Sequence, residues 1–318
     1  MTVISTLAVA SLAASAAFLS ASHLKTRRLA RQAEELIPPV GKFQPVPGGV
    51  IHYVEMGPVA APPLVLIHGL SGQLQHFTYA LADLLAADFR VIILDRPGCG
   101  YSTRDHDRLA VLPEQAKMIQ SFLDLLKIEQ PILCGHSLGG AVALAMALDA
   151  PEKIRGLALL APLTHPREQA GVFKGLIVHS PFIRRLMAQT VAIPAAQRSA
   201  TELLQQVFAP SPCPDDFAIQ AGAVLGLRPQ SFVTASADAT LAIGNIALQS
   251  ARYAAELKTP GAVLFGAQDA VLQPQIHGLP MARFGLPCQS LADQGHMLPN
   301  CAPSQCNAFI RDTVEQLR

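Results

Sequence analysis

The fold is decided by Ile132-Leu133-Cys134-Gly135-His136-Ser137-Leu138-Gly139-Gly140 and the Ala- and Leu-rich stretch that follows it. A short apolar run, then Gly-x-Ser-x-Gly, then a helix-forming segment describes a sharp strand-to-helix turn that lifts a serine into the open. Bulky side chains two residues before or after the serine would clash, hence Gly135 and Gly139. The helix that begins there points its N-terminal dipole at the surroundings of Ser137 and favours negative charge. A glycine-rich turn that merely starts a helix would carry the same pentapeptide. The strand before it, the helix after it and the partner residues found further along favour a nucleophile.

Outward from this turn, Leu64–Ile67, Val91–Leu94 and Leu157–Leu160 are short, wholly apolar runs, suited to central strands of a parallel sheet covered on both faces. Val50–Val54 is a further strand candidate. Helical stretches are expected at about 76–87, 113–127 and 137–149. The second carries Met118, Phe122, Leu125 and Leu126 on one face. Strand signals return at Ala262–Phe265 and, more weakly, at 286–291, before a closing helix at about 303–317. The alternation predicts an α/β fold, a doubly wound, mostly parallel sheet of about eight strands. Residues 162–250 interrupt the rhythm. They are Pro-spotted and helical in composition, and are read as a cap inserted over the carboxyl edge of the sheet, where ligands bind in such folds. The core is then 49–161 and 251–318.

A serine needs a base, and the base needs an orienting acid. Of the ten histidines, His296 follows the last strand candidate and precedes the last helix, so its loop ends at the same edge as Ser137. His136 abuts the serine, so its side chain should point away from Oγ. His68 lies on the loop opposite and is read as a brace for that loop. Asp269 follows a strand by a short Gly turn, 27 residues before His296, and is the expected acid. It could also cap a helix at 274–284. Asp238 is the runner-up, and Asp293 is too near His296 in sequence. An oxyanion needs two backbone donors. The amide of Leu138, next after the serine, and that of Leu70, in His68-Gly69-Leu70-Ser71-Gly72, are the candidates.

Bulk properties agree with a single enzyme-sized domain. The 318 residues are 50% hydrophobic, only 15% are charged, and the net charge of +1 offers no footprint for nucleic acid. Mean hydropathy is +0.32, high for a soluble chain. Cys99, Cys134, Cys213, Cys288, Cys301 and Cys306 match no zinc spacing. Cys301 and Cys306 are near enough in sequence to pair, but all six are read as structural or incidental. Residues 2–22 carry no charge and at helical rise would span about 30 Å, a bilayer core. Lys25, Arg27, Arg28 and Arg31 follow. Residues 1–24 are therefore read as a membrane anchor, with the basic cluster and the catalytic domain on the cytoplasmic side. The rival is a cleaved signal peptide and a periplasmic or secreted enzyme, against which stands the lack of Lys or Arg ahead of the apolar run. Pro38, Pro39, Pro45 and Pro47 mark 25–48 as a linker.

The His68-Gly69, Asp95-Arg96-Pro97-Gly98-Cys99-Gly100-Tyr101-Ser102, Gly135–Gly139, Gly266–Asp269 and Gly295-His296 segments together resemble the α/β-hydrolase superfamily, in its serine-nucleophile branch with a helical cap. The likeness covers about 50–160 and 255–317. It implies a Ser137–His296–Asp269 triad and a cap that shapes the acyl or alcohol pocket. Haloalkane dehalogenases and epoxide hydrolases of this fold place Asp where this chain has Ser137, which argues against both. No metal motif or dinucleotide fingerprint is present, so no cofactor is expected. The expected activity is hydrolysis of carboxylic esters by a carboxylesterase- or lipase-like enzyme, on a small-molecule substrate of hydrophobic character. Phe173, Leu176, Ile177, Val178, Phe182, Ile183, Leu186 and Met187 would either pack the cap or line an apolar tunnel above Ser137. An acyltransferase, a C–C bond hydrolase, or a ligand receptor that retains the triad would carry the same motifs.

Overall fold

The computed structural model describes residues 2–166 and 171–317; the side chains of residues 2–10 and of Val172 lie outside it. Its centre is one nine-stranded sheet: β1 (Lys42–Val46), β2 (Gly49–Met56), β3 (Pro63–Ile67), β4 (Arg90–Leu94), β5 (Thr103–Arg104), β6 (Ile132–Gly135), β7 (Gly156–Leu160), β8 (Gly261–Gly266) and β9 (Cys288–Leu291). The order is β1-β2-β4-β3-β6-β7-β8-β9, with β5 paired to β2. From β4 to β9 neighbouring strands run parallel, whereas β1–β2 and β2–β4 are antiparallel.

Every residue of β6 and β7 is buried, as expected of apolar strands covered on both faces. The edge strand β9 is only partly covered, with Gln289 and Ser290 exposed side by side, which is why its apolar signal is weak. Between β3 and β6 the chain order reverses, since β4 lies on the far side of β3. Loops leaving the carboxyl ends at such a reversal diverge and open a crevice. The oxyanion-loop candidate and the serine turn both leave here.

The helix Leu138–Asp149 is buried from Leu138 to Leu148, so its sequence is apolar all round rather than striped. In Leu112–Leu125, Met118, Ile119, Phe122 and Leu123 face the core, while Leu125, expected on that face, is exposed. The stretch 76–87 divides into Gln75–Thr78 and Ala82–Leu85, with Phe77, Leu81 and Leu85 buried at helical spacing across the break.

Two boundaries shift. Residues 25–48, expected as a linker, are ordered: one helix runs unbroken from Thr2 to Leu36, and 42–46 forms β1 in a hairpin with β2. The prolines end the helix and sit at the sheet's edge, where a missing N–H is tolerated. The lower half of this helix is fastened to the cap. Ser22 Oγ and Thr26 Oγ1 donate to the Thr190 carbonyl at 2.8 and 3.0 Å, and Leu29 and Ala33 are buried. The cap limit at 250 cuts a helix, Ile246–Glu256, that belongs to one piece. Within 162–250, residues 167–170 lie outside the described residues; elsewhere the insertion is helical, with no strand among the described residues. Pro229–Glu256 is long and apolar enough to cross a membrane, but half of its most apolar window is buried inside the protein.

Candidate active site

Ser137 occupies the turn between β6 and its helix with φ 55° and ψ −121°. This is a sparsely populated conformation that costs about 1–3 kcal/mol and persists only where the surroundings enforce it. The enforcement is visible. A Cβ on Gly139 would lie 2.0 Å from the Ile67 carbonyl oxygen, and one on Gly135 would lie 2.5 Å from that of Gly139. Ser71 and Ala161 also have positive φ, and both sit at this same edge of the sheet.

The histidine arrives from β9 and the acid from β8. His296 Nε2 is 3.0 Å from Ser137 Oγ, and His296 Nδ1 donates to Asp269 Oδ2 at 2.8 Å. With Nδ1–H committed to a carboxylate, Nε2 presents its lone pair to the hydroxyl. Asp269 is held in turn: its Oδ1 accepts the amides of Val271 and Leu272 at 2.9 and 2.8 Å. It closes its own turn and does not cap a helix at 274–284; that stretch is Pro274–His277 and a 3-10 turn at Leu279–Phe284. His296 and Asp269 are buried, and Ser137 is half-buried.

The loop after β3 packs on the serine turn so closely that a Cβ on Gly69 would lie 2.9 Å from Ser137 Cβ. Among the described residues, neither the Leu70 nor the Leu138 amide donates to a backbone carbonyl. His68 is fully buried; its Nδ1 donates to the Gly69 carbonyl at 2.8 Å and its Nε2 accepts the Arg96 amide at 2.9 Å. Burial first, and the Arg96 charge second, hold its pKa well below the ordinary histidine value, so it is a neutral brace. His136 points away from Oγ, toward the histidine loop, where its Nε2 donates to the His296 carbonyl at 3.0 Å.

Asp238, the alternative acid, is fully buried in the cap against Arg96 and Arg104, each at 2.8 Å, and makes no bond to His296. Asp293 is exposed. All six cysteines are free, Cys301 and Cys306 included. Ile177, Phe182, Ile183 and Leu186 do not pack the cap inward but are exposed, the last three on the helix Pro181–Gln189, whereas Phe173, Leu176, Val178 and Met187 are partly buried. The pairing of Arg96 with Asp238 and the bond from His136 to the histidine loop went unmarked in the sequence. Only Arg96 had a local signal, its place in the Asp95–Ser102 motif.

A serine, a histidine and a carboxylate in hydrogen-bonding series beside two unengaged amides can carry out acyl transfer to and from Ser137. A family model described as the alpha/beta hydrolase fold matches residues 62–298. The chain is 37% identical over 129 residues to a dihydrolipoyllysine-residue acetyltransferase component of an acetoin cleaving system from Pseudomonas putida, covering 41% of this chain and 34% of that one. It spans less than half the length of these curated relatives, 32% and 44% in two others. Among solved structures, an alpha/beta hydrolase fold protein from Burkholderia ambifaria superposes with TM-score 0.71 at 21% identity, covering 85% of this chain and 97% of that one. A bacterial membrane phospholipase A superposes with TM-score 0.64 at 20% identity, covering 99% and 98%. At such identities the likeness is one of fold.

Proposed function

This chain belongs to the alpha/beta hydrolase fold family, and on that premise we propose that it is a serine hydrolase that cleaves hydrophobic, lipid-like carboxylic esters through an acyl-enzyme. The observation that carries the reading is His296 standing within hydrogen-bond reach of both Ser137 Oγ and Asp269.

Ser137 Oγ attacks the ester carbonyl while His296 Nε2 takes its proton. The negative charge that develops on the carbonyl oxygen is met by the Leu70 and Leu138 amides. His296 then protonates the leaving alcohol, and an ester to Ser137 remains. Water, deprotonated by the same Nε2, attacks that ester; the acid leaves and Ser137 recovers its proton. Asp269 holds the imidazole in the right tautomer and offsets its charge when protonated. No step asks for a metal or an organic cofactor.

Hydrophobic substrates are favoured because the cap bears outward apolar residues on the helix whose end is bonded to the N-terminal helix. His23 contacts the Gln189 carbonyl at 2.8 Å, and Thr190 takes the bonds from Ser22 and Thr26. Residues 2–22 would anchor this assembly in a bilayer, with the catalytic domain on the cytoplasmic side of Lys25, Arg27, Arg28 and Arg31. An ester series tests the substrate class. The p-nitrophenyl octanoate should be hydrolysed with higher kcat/KM than the acetate. Preference for acetate would remove the lipid-like assignment. Acyl transfer to an added alcohol in place of water would make the chain a transferase, and an unreactive Ser137 would make it a binder.

A further inference from the structure

We propose that Arg96 and Asp238 are positioning residues for the oxyanion loop, so that the cap insertion, through Asp238, sets the direction of the Leu70 N–H. The inference rests on the reading of residues 68–72 as the oxyanion loop.

Arg96 is fully buried just beyond β4 and holds that loop at three points. Its amide donates to His68 Nε2 at 2.9 Å, its Nε to the His68 carbonyl at 2.8 Å, and its Nη2 to the Gly69 carbonyl at 3.1 Å. The Gly69 carbonyl also accepts His68 Nδ1 at 2.8 Å and the Gly72 amide at 3.2 Å. That carbonyl and the Leu70 N–H belong to one peptide unit. A trans peptide is planar, with C=O and N–H pointing in opposite directions. Donors that pin the Gly69 oxygen therefore aim the Leu70 N–H the other way. A transition-state donor must be aimed before the charge develops, since reorientation during reaction costs rate.

The guanidinium is itself held from the cap. Nη1 donates to Asp238 Oδ2 at 2.8 Å and to Gln115 Oε1 at 2.7 Å. Asp238 opens a π-helical turn, Asp238–Ala242, and its other oxygen accepts Arg104 Nη1 at 2.8 Å. π-turns inside α-helices are rare and are frequently found at functional sites. A second tie runs the same way: Gln73 Nε2, also in this loop region, donates to the Ala221 carbonyl of the cap at 2.7 Å. A plain staple between cap and core would need neither the bonds from Arg96 to His68 and Gly69 nor an acid shared between two arginines.

The shared acid makes the test clean. Arg96→Met leaves Asp238 paired with Arg104, and Arg104→Met leaves it paired with Arg96, so neither strands a lone buried charge. Each removes one bond between cap and core, but only Arg96→Met takes a donor away from the Gly69 carbonyl. The expected result is a kcat loss of about 10–100-fold in Arg96→Met with KM nearly unchanged, less than the 10²–10³ of a lost donor because the donor is misaimed rather than missing. Arg104→Met keeps its kcat. Hydrogen exchange at the Gly72 amide should quicken in Arg96→Met alone, a readout that needs no turnover. Should Arg96→Met not fold, Arg96→Lys, which keeps a charge beside Asp238 but cannot reach the His68 and Gly69 carbonyls together, takes its place, with the same fall in kcat at constant KM. Equal kcat and equal Gly72 exchange in the two arginine variants would overturn the proposal while leaving the hydrolase reading intact. Failure of the wild-type protein to turn over any ester would remove that reading, and the exchange comparison would still decide whether Arg96 holds the loop.

Discussion

Two buried histidine–aspartate pairs stand among the described residues, and they are nearly alike at one nitrogen. His296 donates Nδ1–H to Asp269 at 2.8 Å, and His52 donates Nδ1–H to Asp95 at 2.7 Å. They part at the other nitrogen. His52 Nε2 donates to the Val40 carbonyl, an oxygen with no proton to give. His296 Nε2 faces a hydroxyl. The carboxylates differ as well: Asp95 also takes the amides of Leu74 and Tyr101 and ties two loops to β2, whereas Asp269 serves only its own turn and His296. A histidine–carboxylate contact is therefore no sign of a base by itself. What matters is whether Nε2 keeps a lone pair aimed at a group that can lose a proton.

That contrast can be broken by substitution. His296→Ala and Ser137→Ala should each lower kcat by about 10⁶-fold, and Asp269→Asn by about 10⁴-fold, with the fold retained. His52→Ala should leave kcat per folded molecule unchanged. It should instead lower unfolding stability in urea by about 3–5 kcal/mol, because Asp95 is left buried without its partner. A large kcat loss in His52→Ala at unchanged stability would erase the distinction.

A smaller effect should separate the proposed oxyanion loop from the proposed triad. Gly69→Val would drive a side chain against Ser137 Cβ and His136 Nδ1, 2.9 and 3.3 Å from the new Cβ. The expected loss is about 10²–10³ in kcat, the cost of one displaced donor, measured alongside KM. A change confined to KM would make the loop a substrate contact.

The smallest effect concerns pH. Burial holds the pKa of His68 and of His136 well below the usual 6.5, with Arg96 and His296 respectively the next causes. Below pH 6.5 the unfolded chain takes up protons at these two positions and the folded chain does not. Folding stability should then fall as pH falls from 6.5 toward their lowered values, each contributing a slope of up to about 1.4 kcal/mol per pH unit. Urea midpoints at pH 7, 6 and 5 measure it. His68→Gln and His136→Gln should each flatten the slope, which an unshifted surface histidine would not do.

Much of this architecture was legible because it is local. Apolar runs of four or five residues mark strands buried on both faces, and parallel strands deliver Ser137, Asp269 and His296 to one edge. The Gly135–Gly139 turn could be read because only glycine fits against the Ile67 carbonyl and the helix's first turn. What was not legible depends on pairs far apart in sequence. Arg96 and Asp238 lie 142 residues apart, and His136 meets the His296 carbonyl across 160. Neither distance leaves a trace in periodicity. The N-terminal helix ran past its expected end because Thr26, Leu29 and Ala33 find burial against the cap, a tertiary gain that turn-forming prolines further on do not reveal. Phe182, Ile183 and Leu186 misled because an apolar stretch says what is hydrophobic, not which way it faces.

The site of covalent labelling identifies the nucleophile itself. The wild-type protein would be treated with a fluorophosphonate, followed by intact-mass measurement and peptide mapping, with Ser137→Ala, His296→Ala and His52→Ala in parallel. One adduct is expected, on Ser137, in the wild-type protein and in His52→Ala, none in Ser137→Ala, and severely slowed labelling in His296→Ala. Labelling that survives Ser137→Ala, or that proceeds at the wild-type rate in His296→Ala, would contradict that expectation.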